Sequence, residues 1–266
     1  MIVTRENANG LLDAAVDPSL WTAIIPAAGR GTRLGFDQPK ILFPIAGKTI
    51  LEWLIDLLQP LCGRFVLVLS PTGRDAVAQM IPKNLPCEIT VQHEPRGMAD
   101  AIRCALWGRS PTCPVSNEEK TLIIWGDQVA LRRDSLEFAM RIHQGPTHPD
   151  ATIPTLWRDN PYIHFERDNA NRVIRVLQAR EGDSLPQLGE SDSGVFLFET
   201  RALRETLPRL LTSPDCIGRK THELNFLPIL PMLDNLITVP IMTEAESVGV
   251  NSAADADYLA RHLAGA

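Results

Sequence analysis

The chain has 266 residues, 44% of them hydrophobic and 22% charged, with a formal net charge of −6. That length can bury a sizeable core in one large domain or two modest ones. The acidic balance argues against a nucleic-acid backbone as the main partner. The five cysteines (Cys62, Cys87, Cys104, Cys113 and Cys216) are scattered and form no Cys-x-x-Cys pair. This points to reduced thiols rather than a disulfide framework or a zinc site. Residues 1–20 carry Glu6, Asp13 and Asp17 and no long apolar run, so no secretory signal is expected. Nothing approaches the roughly 18 apolar residues of a membrane span. The expectation is a soluble, cytoplasmic protein with no membrane and no nucleic-acid partner.

In chain order, residues 1–20 read as a leader that packs as a helix around Leu11, Leu12, Ala14 and Ala15. Trp21 to Ile25 is a buried-strand run that ends at Pro26 in a small-residue turn holding Gly29, Gly31 and Gly35. A helix is expected over Gly47–Leu61, where Ile50, Leu51, Leu54, Ile55, Leu57 and Leu58 form an apolar stripe. Strand runs follow at Arg64–Ser70 and Cys87–Gln92, with helices at Arg74–Ile81 and Gly97–Trp107. A polar connector, Ser110–Lys120, leads to the strand Thr121–Trp125 and then Gly126-Asp127. Strands alternating with helices predict parallel pairing through right-handed crossovers.

The second half changes character. Ala151–Trp157, Tyr162–Glu166, Val173–Gln178 and Gly194–Phe198 are strand-like, separated by turn residues and few helices, and predict an antiparallel second lobe. Helices are expected at Arg201–Leu211 and Thr221–Leu233, strands at Leu236–Ile241 and Ser247–Val250, and a closing helix at Ala253–Leu263. The fold class is α/β: a doubly wound, mostly parallel mixed sheet with a smaller antiparallel extension.

Four stretches can do chemistry. In Ile24–Lys40, glycines leave backbone N–H groups open to a phosphate, and Arg33 and Lys40 add positive charge. The spacing Gly29-x-Gly31-x-x-x-Gly35 fits neither a P-loop nor a dinucleotide fingerprint, and Pro39 and Pro44 prevent an immediate helix. Asp127 stands at the carboxyl end of an apolar strand, the edge where open α/β sheets bind ligands. With Asn251, which follows Val248-Gly249-Val250, it offers oxygen donors suited to Mg²⁺. Gln92 to Ala101 brings an amide and Gly97 to a strand–helix turn that a flat base could approach. Glu190-Ser191-Asp192-Ser193-Gly194 is a polar turn able to offer a carboxylate to sugar hydroxyls. The six histidines show no metal spacing, and no Gly-x-Ser-x-Gly elbow is present.

Ala27-Ala28-Gly29-Arg30-Gly31-Thr32-Arg33-Leu34 followed by Pro39-Lys40 resembles the signature of the sugar-phosphate nucleotidyltransferases with a glycosyltransferase-A-like, Rossmann-like fold. The order of later motifs is most similar to the uridylyltransferase domain of N-acetylglucosamine-1-phosphate uridylyltransferase, over roughly residues 21–260. The resemblance implies one nucleotidyltransferase domain, 21–266, after a leader, 1–20. Residues 21–150 would be its nucleotide-binding half, 151–250 its acceptor-binding half and 251–266 a closing helix. It further implies that Arg33 and Lys40 hold the triphosphate as catalytic cations. Ala27, Ala28, Gly29, Gly31, Thr32, Gln92, Gly97, Met98 and Gly126 would contact the nucleotide. Ile163, Glu190 and Gly194 would contact the acceptor, and Asp127 and Asn251 the metal. Pro95, Met98 and Ile163 depart from the family's usual residues and leave base and sugar open.

The implied reaction is Mg²⁺-dependent in-line transfer of NMP from an NTP, UTP favoured, to a sugar 1-phosphate, with release of pyrophosphate. Two alternatives stay open at this point. One is a nucleotidyltransferase using CTP, GTP or dTTP, or a phosphate or phosphonate acceptor that is not a sugar. The other is a catalytically silent module that binds nucleotide-sugars and regulates a partner.

Overall fold

A computed structural model describes residues 1–12, 15–29, 31, 34–108, 119–241 and 243–264. Its first half alternates as the apolar runs predict. β1 (Trp21–Pro26) leads through the glycine turn to a two-residue pair, β2 (Pro44–Ile45) and β3 (Lys48–Thr49), and then α1 (Ile50–Leu58). Thr49 caps α1 in a reciprocal box with Glu52, and Ile50, Leu51, Leu54, Ile55 and Leu58 are buried on one face. β4 (Arg64–Leu69), α2 (Arg74–Met80), β5 (Cys87–Val91), α3 (Met98–Trp107) and β6 (Lys120–Ile124) follow.

Next comes α4 (Arg133–Gln144), an element absent from the sequence expectations above. Leu136, Ala139, Met140 and His143 are buried on it at the i, i+3, i+4, i+7 spacing of an amphipathic helix. The remainder is β7 (Ala151–Asp159), β8 (Ile163–Arg167), β9 (Val173–Gln178), β10 (Leu188–Asp192), β11 (Val195–Glu199), α5 (Thr200–Thr212), β12 (Leu236–Pro240) and α6 (Ala253–Ala264).

The main sheet runs β10-β7-β11-β6-β1-β4-β5, and β12 pairs with β7. β6, β1, β4 and β5 are mutually parallel, as is β12 on β7. β11 lies antiparallel between β6 and β7, and β10 is antiparallel to β7. The antiparallel part is therefore mostly built into the main sheet, and β8–β9 forms a separate two-stranded hairpin. Alternation along β1 divides the core into two layers. Ala23 and Ile25 face the side covered by Leu54, Leu58, Leu136 and Leu259, and Ile24 faces Ile102, Phe196, Leu203 and Phe226.

Three other expectations are corrected. Among the described residues the start of the chain forms turns, with Ile2 bridged to Thr238 and Val3 buried. Leu11 and Leu12 pack beside Phe138 and Ile142, although Ala14 lies outside the described residues. Thr221–Leu233 is no α-helix: only Leu227–Met232 coils, as a 3₁₀ turn. Pro228 and Pro231 remove amide donors that a helix would need. Ser247–Val250 is not a strand but a single bridge from Gly249 to Gln128. No helix among the described residues is long and apolar enough to cross a membrane.

Candidate active site

The connections leaving the carboxyl ends of β1 and β6 meet the segment 248–251. Gly126 lets them cross closely: a Cβ there would stand 2.7 Å from the carbonyl oxygen of Pro26. Its N–H donates to that same oxygen at 3.2 Å. Asp127 is thereby set beside the glycine turn. The Val250 N–H donates to the Asp127 carbonyl, and a Cβ on Gly249 would sit 3.1 Å from the Asp127 carboxylate carbon. Asn251 is held from the other side, because its own N–H and that of Ser252 donate to Asp255 Oδ2 at the start of α6.

Lys40 closes the group. Its Nζ donates to Asp127 Oδ2 at 2.6 Å and to Asn251 Oδ1 at 2.9 Å. Gly31, at φ +62°, packs against the Lys40 stem, where a Cβ would stand 2.9 Å from Lys40 Cβ. The Lys40 and Asp127 side chains are only 16% and 19% exposed, so water screens the pair weakly. Two oxygens from distant segments thus converge on one cationic atom. Among the described residues no three His, Cys, Asp or Glu side chains gather as a metal cluster.

A cleft of about 880 Å³ runs from this group towards β8–β10. Of the expected nucleotide contacts, Ala27, Gly29, Gly31, Met98 and Gly126 line it. Ala28 is half-buried beside the turn but does not line the cleft, and Thr32 and Arg33 lie outside the described residues. Gln92 is 6% exposed and also lies off the cleft lining. Its Nε2 donates to the Gly97 carbonyl at 3.0 Å and to Asp100 Oδ2 at 2.9 Å, stitching the β5–α3 turn. Gly97, at φ +116°, has the backbone of Leu224 beside it, 2.6 Å from where a Cβ would be. The close approach at this glycine is made by the chain itself, through Ala99 N–H to the Leu224 carbonyl and Leu224 N–H to the Arg96 carbonyl.

Of the expected acceptor contacts, Ile163 and Gly194 line the cleft and Glu190 does not. Glu190 is 1% exposed, and its carboxylate accepts from Arg167 Nε at 2.7 Å, Arg167 Nη2 at 2.9 Å and Thr155 Oγ1 at 3.0 Å. Asp192, two residues on, does line the cleft. Its Oδ1 accepts from the Gly194 N–H at 2.8 Å, and burial pushes its carboxyl up to about 6. A group whose folded pKa lies above its unfolded one favours folding at low pH and loses that contribution as pH rises. Asp192→Asn is therefore expected to raise Tm at pH 8 and leave it nearly unchanged at pH 3.5. Thermal melts across pH 3.5–8 would show this, and a loss of Tm at pH 8 would contradict it.

Sequence reasoning did not single out several other lining residues. Arg158, Tyr162, Gln178, Arg180 and Asn225 enter from β7, the β8–β9 hairpin and the 221–227 segment. They carry no local motif, and only the tertiary fold brings them to one wall. Trp125 forms part of the floor, its ring 4.9 Å from that of Phe196 and 6.1 Å from that of Phe226.

Comparison with known proteins matches this architecture. Residues 23–194 match the family described as the MobA-like NTP transferase domain. "Bifunctional protein GlmU" of Mycolicibacterium paratuberculosis is 27% identical over 221 residues, covering 80% of this chain and 44% of that protein. GlmU of Thermodesulfovibrio yellowstonii is 25% identical over 249 residues, 90% of this chain and 51% of the relative. The chain thus spans about half the length of these curated relatives, or slightly less. Among solved structures, 4-diphosphocytidyl-2C-methyl-D-erythritol synthase from Anaerococcus prevotii superposes with a TM-score of 0.64 at 13% identity. That superposition covers 93% of this chain and all of the other, which is a likeness of fold. With the family match extending over more than half its length, the chain belongs to the MobA-like NTP transferase domain family and is a nucleotidyltransferase.

Proposed function

We propose that this nucleotidyltransferase moves NMP from an NTP, UTP foremost, to a sugar 1-phosphate, giving an NDP-sugar and pyrophosphate. The observation that carries this is the convergence of Lys40, Asp127 and Asn251 in the wall of the cleft. In the transfer, an oxygen of the acceptor phosphate bonds to the α-phosphorus and the bond to the pyrophosphate oxygen breaks. The acceptor phosphate is already an anion, so no general base is required. The barrier lies in aligning two polyanions, which positioning and charge neutralisation lower.

Asp127 and Asn251 fit a divalent cation, since their oxygens already share one cationic partner. Mg²⁺, which accepts few protein ligands and takes the rest from phosphates and water, would neutralise charge between the reacting phosphates when bound there. Lys40 and Arg33 would then hold the triphosphate, and Ala27, Gly29 and Gly31 would offer backbone to it. Met98 borders the base, while Trp125, Ile163, Asp192 and Gly194 border the acceptor. Residues 21–150 serve as the nucleotide half and 151–250 as the acceptor half. Free thiols at Cys62, Cys87, Cys104 and Cys216 suit a reducing cytoplasm.

The test is pyrophosphate release across the four common NTPs and a panel of acceptors: sugar 1-phosphates, polyol phosphates, phosphocholine and a phosphonate. The cytidyl group in the structural neighbour's name makes CTP the important second arm. Fastest release with UTP and a sugar 1-phosphate, abolished by EDTA and restored by Mg²⁺, is the expected result. Faster turnover of phosphocholine or the phosphonate would overturn the acceptor, and EDTA-insensitive turnover would overturn the metal.

A further inference from the structure

Gln128 follows Asp127 directly, is 4% exposed and lines the cleft. Its Oε1 is buried without a hydrogen-bond partner among the described residues. Buried amide oxygens are nearly always paired, because leaving one unmet forfeits its hydration. Among the described residues the other buried side-chain atoms in this condition are Ser135 Oγ, His143 Nε2, Thr147 Oγ1 and Arg158 Nε. Of their residues only Arg158 also borders the cleft, and its side chain is 29% exposed.

The placement of Gln128 indicates which ligand it serves. Its N–H donates to the Trp125 carbonyl, and it bridges to Gly249, so the backbone is fixed on both sides. The side chain lies against Gly194, just before β11: a Cβ on that glycine, held at φ +74°, would come within 2.6 Å of Gln128 Nε2. Gly194 in turn donates its N–H to Asp192 Oδ1. The amide nitrogen therefore lies beside Gly194, one of the expected acceptor contacts. Consecutive Cα atoms are about 3.8 Å apart, so whatever meets Gln128 sits next to the phosphate chemistry at Asp127.

We propose that Gln128 is a specificity-determining residue for the acceptor, its amide meeting a hydroxyl or N–H carried on the carbon next to the phosphate-bearing one. This rests on the transfer reaction proposed above and narrows its acceptor to phosphates of polyhydroxylated or aminated skeletons. A hydroxyl can donate to the orphan Oε1 and accept from Nε2, completing both ends of the amide. Phosphocholine and simple alkylphosphonates present no such group. A site built to hydrogen-bond a hydroxyl discriminates strongly against analogues lacking it, because its own buried group is then left unmet.

The experiment compares the best sugar 1-phosphate from the screen with its 2-deoxy analogue, in the native enzyme and in Gln128→Leu. The native enzyme should favour the parent in kcat/KM by about 100-fold or more. In Gln128→Leu the ratio should collapse towards unity and the acceptor KM rise about 10–100-fold, with the NTP KM unchanged within about twofold. Tm should hold or rise, since an unmet buried polar group has been removed. Equal use of parent and deoxy acceptor by the native enzyme overturns the assignment without any variant. An unchanged ratio in the variant, or a fall in Tm with both KM values raised, overturns it as well and marks a structural residue. Absence of pyrophosphate release by the native enzyme with every pair overturns the transfer reaction itself and this role with it.

Discussion

Asp127→Asn is expected to turn over about 10²–10³-fold more slowly than the native enzyme at saturating substrates and metal, the scale seen when one group stabilising transition-state charge is removed. The amide replaces the carboxylate almost atom for atom. Its backbone is fixed by the Val250 N–H to its carbonyl, and an amide oxygen can still accept from Lys40, so the fold is retained. The charge is lost. Asp127 supplies the anionic partner of Lys40 at 2.6 Å, whereas Asn251 supplies a neutral oxygen. Without the carboxylate, two neutral amide oxygens remain, which hold a divalent cation poorly. Steady-state kinetics with a melting curve as control checks this: turnover within about threefold of native, at unchanged Tm, would remove Asp127 from the chemistry.

Glu190→Ala should act on stability instead, lowering it by about 3–5 kcal/mol, the range for removing one partner of a buried ion pair. For a chain of this size that corresponds to a Tm fall on the order of 10 °C. Glu190 is 1% exposed, and the Arg167 side chain is 11% exposed. Arg167 donates to both Glu190 oxygens and to Thr238 Oγ1 of β12, tying β8, β10 and β12 together. Removing the carboxylate strands a guanidinium in a place water hardly reaches. A carboxylate contacting sugar would behave otherwise, raising acceptor KM while Tm stayed put. Denaturant melts and acceptor titrations on the same preparation separate the two outcomes.

What the sequence reveals here follows how local each signal is. β1, β4 and β6 are largely apolar runs ended by Pro26, Pro71 or a Gly-Asp turn, and each appears as a strand. Lys40 and Asn251 meet across 211 positions, a contact that no local pattern announces, since no periodicity links them. α4 is a different case. Leu136, Ala139, Met140 and His143 mark its buried face, but Arg133, Asp134, Glu137 and Arg141 interrupt the run, and only explicit testing of the 3.6-residue period exposes it. Thr221–Leu233 has helical apolar spacing but places two prolines inside the window, and the backbone rule overrides the pattern. In Glu190–Gly194 a polar turn offers two carboxylates, and nothing local tells them apart. Arg167, 23 positions away, claims the first and leaves Asp192 for the cleft. Gln92 is similar: its amide nitrogen is taken by Asp100 and Gly97, contacts that the sequence around it does not announce.

β11 runs antiparallel between β6 and β7, matched to β6 through five residue pairs from Val195–Ile124 to Glu199–Lys120. The strand that delivers Asp127 and the turn holding Asp192 and Gly194 are thus neighbours in one hydrogen-bonded lattice, with no hinge between them. The spacing between Asp127 and the 192–194 segment is stored as a strand register. Side-chain exchanges in the 192–194 turn can retune which acceptor is accepted while that register stands. A single residue inserted into β11 would turn its whole side-chain set to the opposite face and slide the turn about 3.3 Å past Asp127. On the assignment proposed above, acceptor choice in this scaffold is therefore open to substitution and closed to changes in strand length.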